Sequence, residues 1–133
     1  MAEELKVMLL DDEPIVGQRL KSGLEKIGCG VEVYEDSVKA LSRIKEKTFD
    51  IIITDVMMNE VNGLQILEAA KNSSPRTKVI VITGFATVPL AREAMERGAF
   101  DMIAKPFKPS DLRMLVVKAA QELGFTGITS EER

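Results

Sequence analysis

The chain has 133 residues, 45% of them hydrophobic, a net charge of −3, one cysteine and no histidine. That size and apolar content fit one domain with its own core, and the missing histidine excludes serine–histidine or cysteine–histidine nucleophiles, histidine-built metal sites and an internal phosphohistidine. A lone Cys29, no basic run, no apolar run near the roughly 20 residues of a membrane span and no signal-peptide start together point to a cytoplasmic protein that binds neither membrane nor nucleic acid directly.

Strand-like and helix-like segments alternate five times. The predicted strands are Leu5–Leu10, Val31–Tyr34, Ile51–Thr54, Lys78–Thr83 and Met102–Ala104. The third and fourth are almost continuous β-branched runs, as in strands buried on both faces. Between them lie helical stripes. Val16, Leu20, Leu24 and Ile27 form the first, and Val38, Leu41 and Ile44 the second, with Ser37 as its N-cap. Leu64, Leu67 and Ala70 mark the third, which ends before Pro75. Thr87 caps a fourth, with Pro89 in its first turn and Gly98 just past its end. The fifth carries Leu112, Leu115, Val116, Ala119 and Leu123. Residues 4–123 form the domain, and 124–133, without periodicity, read as a mobile tail or the start of a linker. Alternation of this kind implies parallel β-structure in a doubly wound α/β sandwich.

Four polar sites end four of these strands: Asp11-Asp12 after KVMLL, Asp55 after DIIIT, Thr83 closing KVIVIT, and Lys105 in MIAKP. In a parallel sheet all four project from one edge, where such folds bind ligands. Each has an ordinary explanation by itself. The aspartate pair can serve the dipole of the next helix, Asp55 can be a turn residue, and Thr83 can simply suit a strand. Lys105 can be a surface lysine before a loop proline, a bond where a cis peptide is cheap. Together they describe a pocket for phosphoryl chemistry. Crowded carboxylates disfavour ionisation unless a cation joins them, and hard oxygen ligands favour Mg²⁺. A carboxylate can attack phosphorus to give an acyl phosphate, and an ammonium and a hydroxyl can neutralise phosphoryl oxygens. Asp55 is then the acceptor, Asp11 and Asp12 the metal holders, and Lys105 and Thr83 the donors.

With LLDDEP, IIITDVMMNEVNGLQIL, VIVITGFA and GAFDMIAKPF in this order and spacing, the chain resembles the receiver domain of bacterial two-component response regulators. It is similar in particular to receivers attached to ATPase-type transcription activators. The resemblance implies a flavodoxin-like fold with a five-stranded parallel sheet of order 2-1-3-4-5. It implies phosphorylation of Asp55 by a histidine kinase or a small phosphodonor. Mg²⁺ would be held by Asp12 directly, by Asp11 largely through water, by Asp55 and by the backbone carbonyl of Met57. Thr83 and Lys105 would contact the phosphoryl group. The fourth helix, fifth strand and fifth helix would form the face that meets an effector domain, a partner protein or a second copy. Two departures stand out. Met102 occupies the readout position where the family usually has an aromatic residue, and Asn59 stands where many members have proline. Phe85 is a candidate shield of the acyl phosphate.

Three other functions compete. A Mg²⁺-dependent aspartyl phosphatase or phosphotransferase would want a second carboxylate where Met57 stands. A receiver-like binding module would need no acceptor chemistry. A dinucleotide-binding domain would need a G-x-G-x-x-G after the first strand, which is missing. Cys29, between two glycines, reads as a small loop residue.

Overall fold

The computed structural model describes residues 4–56, 62–84 and 87–128. Five strands alternate with five helices: β1 Leu5–Leu10, α1 Pro14–Lys26, β2 Cys29–Tyr34, α2 Ser37–Glu46, β3 Ile51–Asp55, α3 Gly63–Ser73, β4 Lys78–Thr83, α4 Val88–Glu96, β5 Asp101–Ala104 and α5 Pro109–Glu122. The strands form one sheet of order β2-β1-β3-β4-β5, every pair parallel. The expected α/β architecture and strand order are both present.

Side-chain alternation along the strands builds two cores. Leu5, Val7, Leu9, Ile51, Ile53, Ile80 and Ile82 face one layer, where they meet Leu20 and Leu24 of α1 and Leu112 and Val116 of α5. Met8, Leu10, Ile52, Val79 and Val81 face the other, against Ala40 and Ile44 of α2, Ile66 and Leu67 of α3, and Ala94 of α4. Near-continuous apolar runs whose side chains alternate between the two layers are what burial on both faces demands. The register is fixed by it, since a slip of one residue would exchange the two cores.

Helix starts follow local chemistry. Thr87 caps α4, its Oγ1 accepting the Leu90 amide at 3.3 Å, and Pro89 lies in the first turn. Gly98 follows the helix with φ of 99°, a conformation that favours glycine. Asn62 caps α3 in a reciprocal box with Gln65. For α2 the cap is Asp36 rather than Ser37: Asp36 Oδ1 accepts the Val38 amide at 2.8 Å, and Ser37 is a buried helical residue. Two adjacent capping residues made the sequence ambiguous by one position. The stripe is displaced with it, so that Ala40 and Ile44 are buried while Val38 is exposed.

Two further differences concern the end of the sheet away from the four polar sites. Cys29 is the first residue of β2 and a buried core residue, not a loop residue. Burial and the nearby Glu4 push its thiol up to about 12, so it stays protonated. After α5, Gly124 adopts φ of 91° and the Phe125 amide reaches back to the Ala120 carbonyl at 2.9 Å. Phe125 packs against the α1–α5 core, and Ile128 is buried within it. Two apolar anchors in five residues carry no periodic signal, so the sequence offers no hint of this docking.

Candidate phosphoacceptor site

β1, β3 and β4 end together, and their register decides what meets at that edge. Asp55 pairs with Ile82, and Thr83 with Ala104. Thr83 therefore stands one step beyond Asp55 on the neighbouring strand, and Lys105 one step beyond β5. The Lys105 amide donates to the Thr83 carbonyl at 2.8 Å, which fixes the backbone from which the lysine reaches inward. The Lys105–Pro106 peptide is cis.

Asp55 is itself tightly framed. The Val56 amide donates to Ile82 O at 2.9 Å, the Gly63 amide donates to Val56 O at 3.0 Å, and Thr54 Oγ1 donates to Asp55 O at 3.0 Å. A Cβ on Gly63 would lie 2.5 Å from Asp55 O and 2.7 Å from Val56 Cα. Only a bare backbone lets α3 start this close to Asp55. Sequence reasoning misses Gly63. Its signal was available in Asn62-Gly63-Leu64-Gln65, a capping box that places a glycine at the first helical position.

The predicted charged groups converge. Lys105 Nζ lies 2.7 Å from Asp55 Oδ2 and 3.1 Å from Asp11 Oδ2. Asp11, Asp12 and Asp55 each present an oxygen within 4.8 Å of the others. Adjacent Asp11 and Asp12 part as expected: Asp11 is fully buried and Asp12 exposed. Asp11 Oδ1 accepts the Glu13 amide at 2.9 Å. Its buried Oδ2 accepts no well-directed hydrogen bond among the described residues, despite its nearness to the ammonium. Such an acceptor suits a cation, because the desolvated oxygen has little else to lose.

Burial raises the Asp11 carboxyl above its ordinary value, and the Glu13 amide and Lys105 offset this only in part. For Lys105, burial acts downward, but the hydrogen bond to Asp55 and the ion pair with Asp11 outweigh it and hold the ammonium well above its ordinary range. The lysine is charged wherever the protein is folded at ordinary pH.

Glu13 is missed by sequence reasoning as well. Lys105 Nζ lies 3.3 Å from its Oε1. Glu13 is the N-cap residue of α1, yet its side chain makes no capping bond and turns to the lysine instead. Thr83 is fully buried at the end of β4. Met102 is half-buried and packs against the core under α4. Met57, Asn59 and Phe85 lie outside the described residues.

The three hard oxygens, their spacing and the burial of Asp11 Oδ2 fit a divalent cation of the Mg²⁺ type. Residues 7–117 match the response regulator receiver domain family. The chain belongs to that family. An NtrX-like response regulator of Rickettsia typhi is 34% identical over 120 residues, covering 89% of this chain and 25% of that protein. The C4-dicarboxylate transport transcriptional regulatory protein DctD of Pseudomonas aeruginosa is 33% identical, covering 90% and 26%. This receiver chain thus spans about a quarter of the length of such curated relatives. Among solved structures, a receiver domain from Clostridium thermocellum is 31% identical with a TM-score of 0.83, covering 93% of this chain and 98% of that one. The beryllofluoride-activated NtrC4 receiver domain dimer is 32% identical with a TM-score of 0.82, covering 88% and 97%. Among the described residues no helix is long and apolar enough to cross a membrane.

Proposed function

We propose that Asp55 of this receiver domain accepts a phosphoryl group from a histidine kinase, or from a small donor such as acetyl phosphate, and that the chain acts on itself rather than on an external substrate. The carrying observation is the single ammonium of Lys105 set 2.7 Å from Asp55, beside further strand-end carboxylates. An Asp55 oxygen attacks phosphorus, the bond from phosphorus to the donor nitrogen or oxygen breaks, and the donor leaves with the electron pair. Lys105 neutralises the oxygen charge that gathers in the transfer, and the Thr83 hydroxyl donates to the same group. Asp12 directly, Asp11 largely through water, Asp55 and the Met57 carbonyl would hold Mg²⁺. The metal supplies further charge neutralisation when bound.

Residues 4–123, with Phe125 and Ile128 docked onto their core, serve as the receiver, and the greater length of the relatives supports an output region beyond it. Relatives named as transcriptional regulators support an ATPase-type activator as that output. Exposed apolar side chains on α4 (Val88 and Met95) and α5 (Met114) support a protein contact there, either with an effector or with a second copy. Met102, next to α4, is the readout position, coupled to Thr83. The setting is cytoplasmic.

Intact-mass measurement tests the central claim. Acetyl phosphate or phosphoramidate with Mg²⁺ adds one phosphoryl group to the wild type and none to Asp55→Asn. An unchanged wild-type mass under saturating donor refutes the reading, and a gain by Asp55→Asn misplaces the acceptor.

A further inference from the structure

Three carboxylates share one ammonium at the strand ends. Lys105 Nζ contacts Asp55 Oδ2, Asp11 Oδ2 and Glu13 Oε1 at 2.7, 3.1 and 3.3 Å. Two of these carboxylates, with Asp12, also form the oxygen cluster suited to a divalent cation. Glu13 is not part of that cluster. An ammonium and a divalent cation on the same oxygens repel one another, and in a half-buried site that repulsion is weakly screened. The lysine can yield Asp11 at small cost only if another anion receives it. Glu13 fits that part. Its side chain is 63% exposed and makes no cap to α1. It is also the exposed partner of the lysine, whose own side chain is 23% exposed, against 0% for the Asp11 side chain.

We infer that Glu13 is a positioning residue for Lys105, an outer anchor that draws the ammonium off Asp11 and leaves the Asp11–Asp12–Asp55 oxygens to the divalent cation. The inference rests on the magnesium reading above and adds to it a residue that does not itself hold the metal. Glu13 acts through the lysine, so its effect on metal affinity depends on the lysine being there.

A double-mutant cycle on the full 133-residue chain tests this. Mg²⁺ affinity is read from the backbone amide shifts of residues 11–13 during titration with MgCl₂, with no phosphodonor present. Glu13→Gln weakens Mg²⁺ binding about three- to tenfold in the wild-type background, the scale expected of one partly exposed ion pair. In a Lys105→Ala background the same substitution changes affinity less than about twofold. Should Lys105→Ala not fold, Lys105→Met gives the same comparison. Equal losses in both backgrounds, the signature of a through-space charge effect, overturn the inference while leaving the magnesium reading intact, as does an unchanged affinity of Glu13→Gln alone. A wild type whose amides do not respond to Mg²⁺ overturns both.

Discussion

Glu32 and Asp55 are both strand carboxylates with cations at hydrogen-bond distance, yet their surroundings are opposite in character. On β2, Glu32 accepts Arg43 Nε at 3.0 Å and Nη2 at 3.2 Å, Lys47 Nζ at 2.6 Å and the Tyr34 hydroxyl at 3.0 Å. One carboxylate has two cations and a hydroxyl, and its acceptor capacity is filled. At the strand ends the ratio is inverted, with Asp11, Glu13 and Asp55 all drawing on Lys105. The carboxyl groups respond accordingly. Hydrogen bonds from Arg43 hold Glu32 down at about 2, while burial holds Asp11 above its ordinary value. A satisfied cluster stabilises the fold and needs no ligand. A cluster short of positive charge is a cost to the fold that a cation or a phosphoryl-metal pair can relieve. Salt bridges alone do not separate the two cases; the count of charges and the full burial of Asp11 do.

The comparison can be broken most severely at Gly63. Replacing it with alanine forces a Cβ against the Asp55–Val56 backbone. We expect a loss of about 2–3 kcal/mol in urea unfolding, the scale of overpacking into a filled space. Phosphorylation of Asp55 slows in the same variant, whereas the Glu32 cluster is untouched. Full stability in Gly63→Ala would show that α3 can withdraw freely and that the frame around Asp55 is not set by this contact. Next in size is Glu32→Gln. The depressed carboxyl implies a loss of about 1–2 kcal/mol at neutral pH once partial exposure is allowed for. Because the folded value lies below the ordinary 4.5, this stabilisation is present above that pH and fades as the pH falls toward about 2. The gap between wild type and Glu32→Gln should close over that window in chemical unfolding. A gap that persists at pH 2 would assign the cluster's contribution to packing rather than charge.

One side of this contrast is legible in the amino-acid sequence, and the other is not. Apolar runs and breakers locate all five strands, and β1 and β4 agree end to end because Leu5–Leu10 and Lys78–Thr83 are bounded by sharp polar changes. The convergence of Asp11, Asp12, Asp55 and Lys105 is readable from strand-end positions alone, since a parallel sheet puts all such ends on one edge. What the sequence does not show depends on reach and contact. Glu13 looks like any surface glutamate until the 3.3 Å approach of Lys105, which lies 92 positions away, is known. The Asn62–Gln65 capping pattern marks Gly63 as a first helical residue, but the Asp55–Val56 backbone it nearly touches is encoded by no spacing. Glu32 pairs with residues 11 and 15 positions on, across a strand–helix turn, and alternates with apolar neighbours like any solvent-facing strand residue.

The subtlest test reverses the usual sign of a mutation. Asp11 is buried, close to two other carboxylates, and served by an ammonium that Asp55 and Glu13 also claim. Asparagine keeps an acceptor for the Glu13 amide and removes the charge. Asp11→Asn should therefore raise stability at neutral pH by a small amount, against the usual destabilising direction of single substitutions. The folded carboxyl lies above its ordinary 3.8, so the wild type is free of this cost below that pH and incurs it as the pH rises through the folded value. The advantage of the variant should thus open with rising pH, as the deficit of Glu32→Gln does, but with the opposite sign. Mg²⁺ adds a second check: it should stabilise the wild type, narrowing the advantage, and do less for Asp11→Asn. A variant less stable than the wild type in metal-free buffer would mean that Lys105 already compensates Asp11, and the strand-end cluster would then resemble the Glu32 cluster.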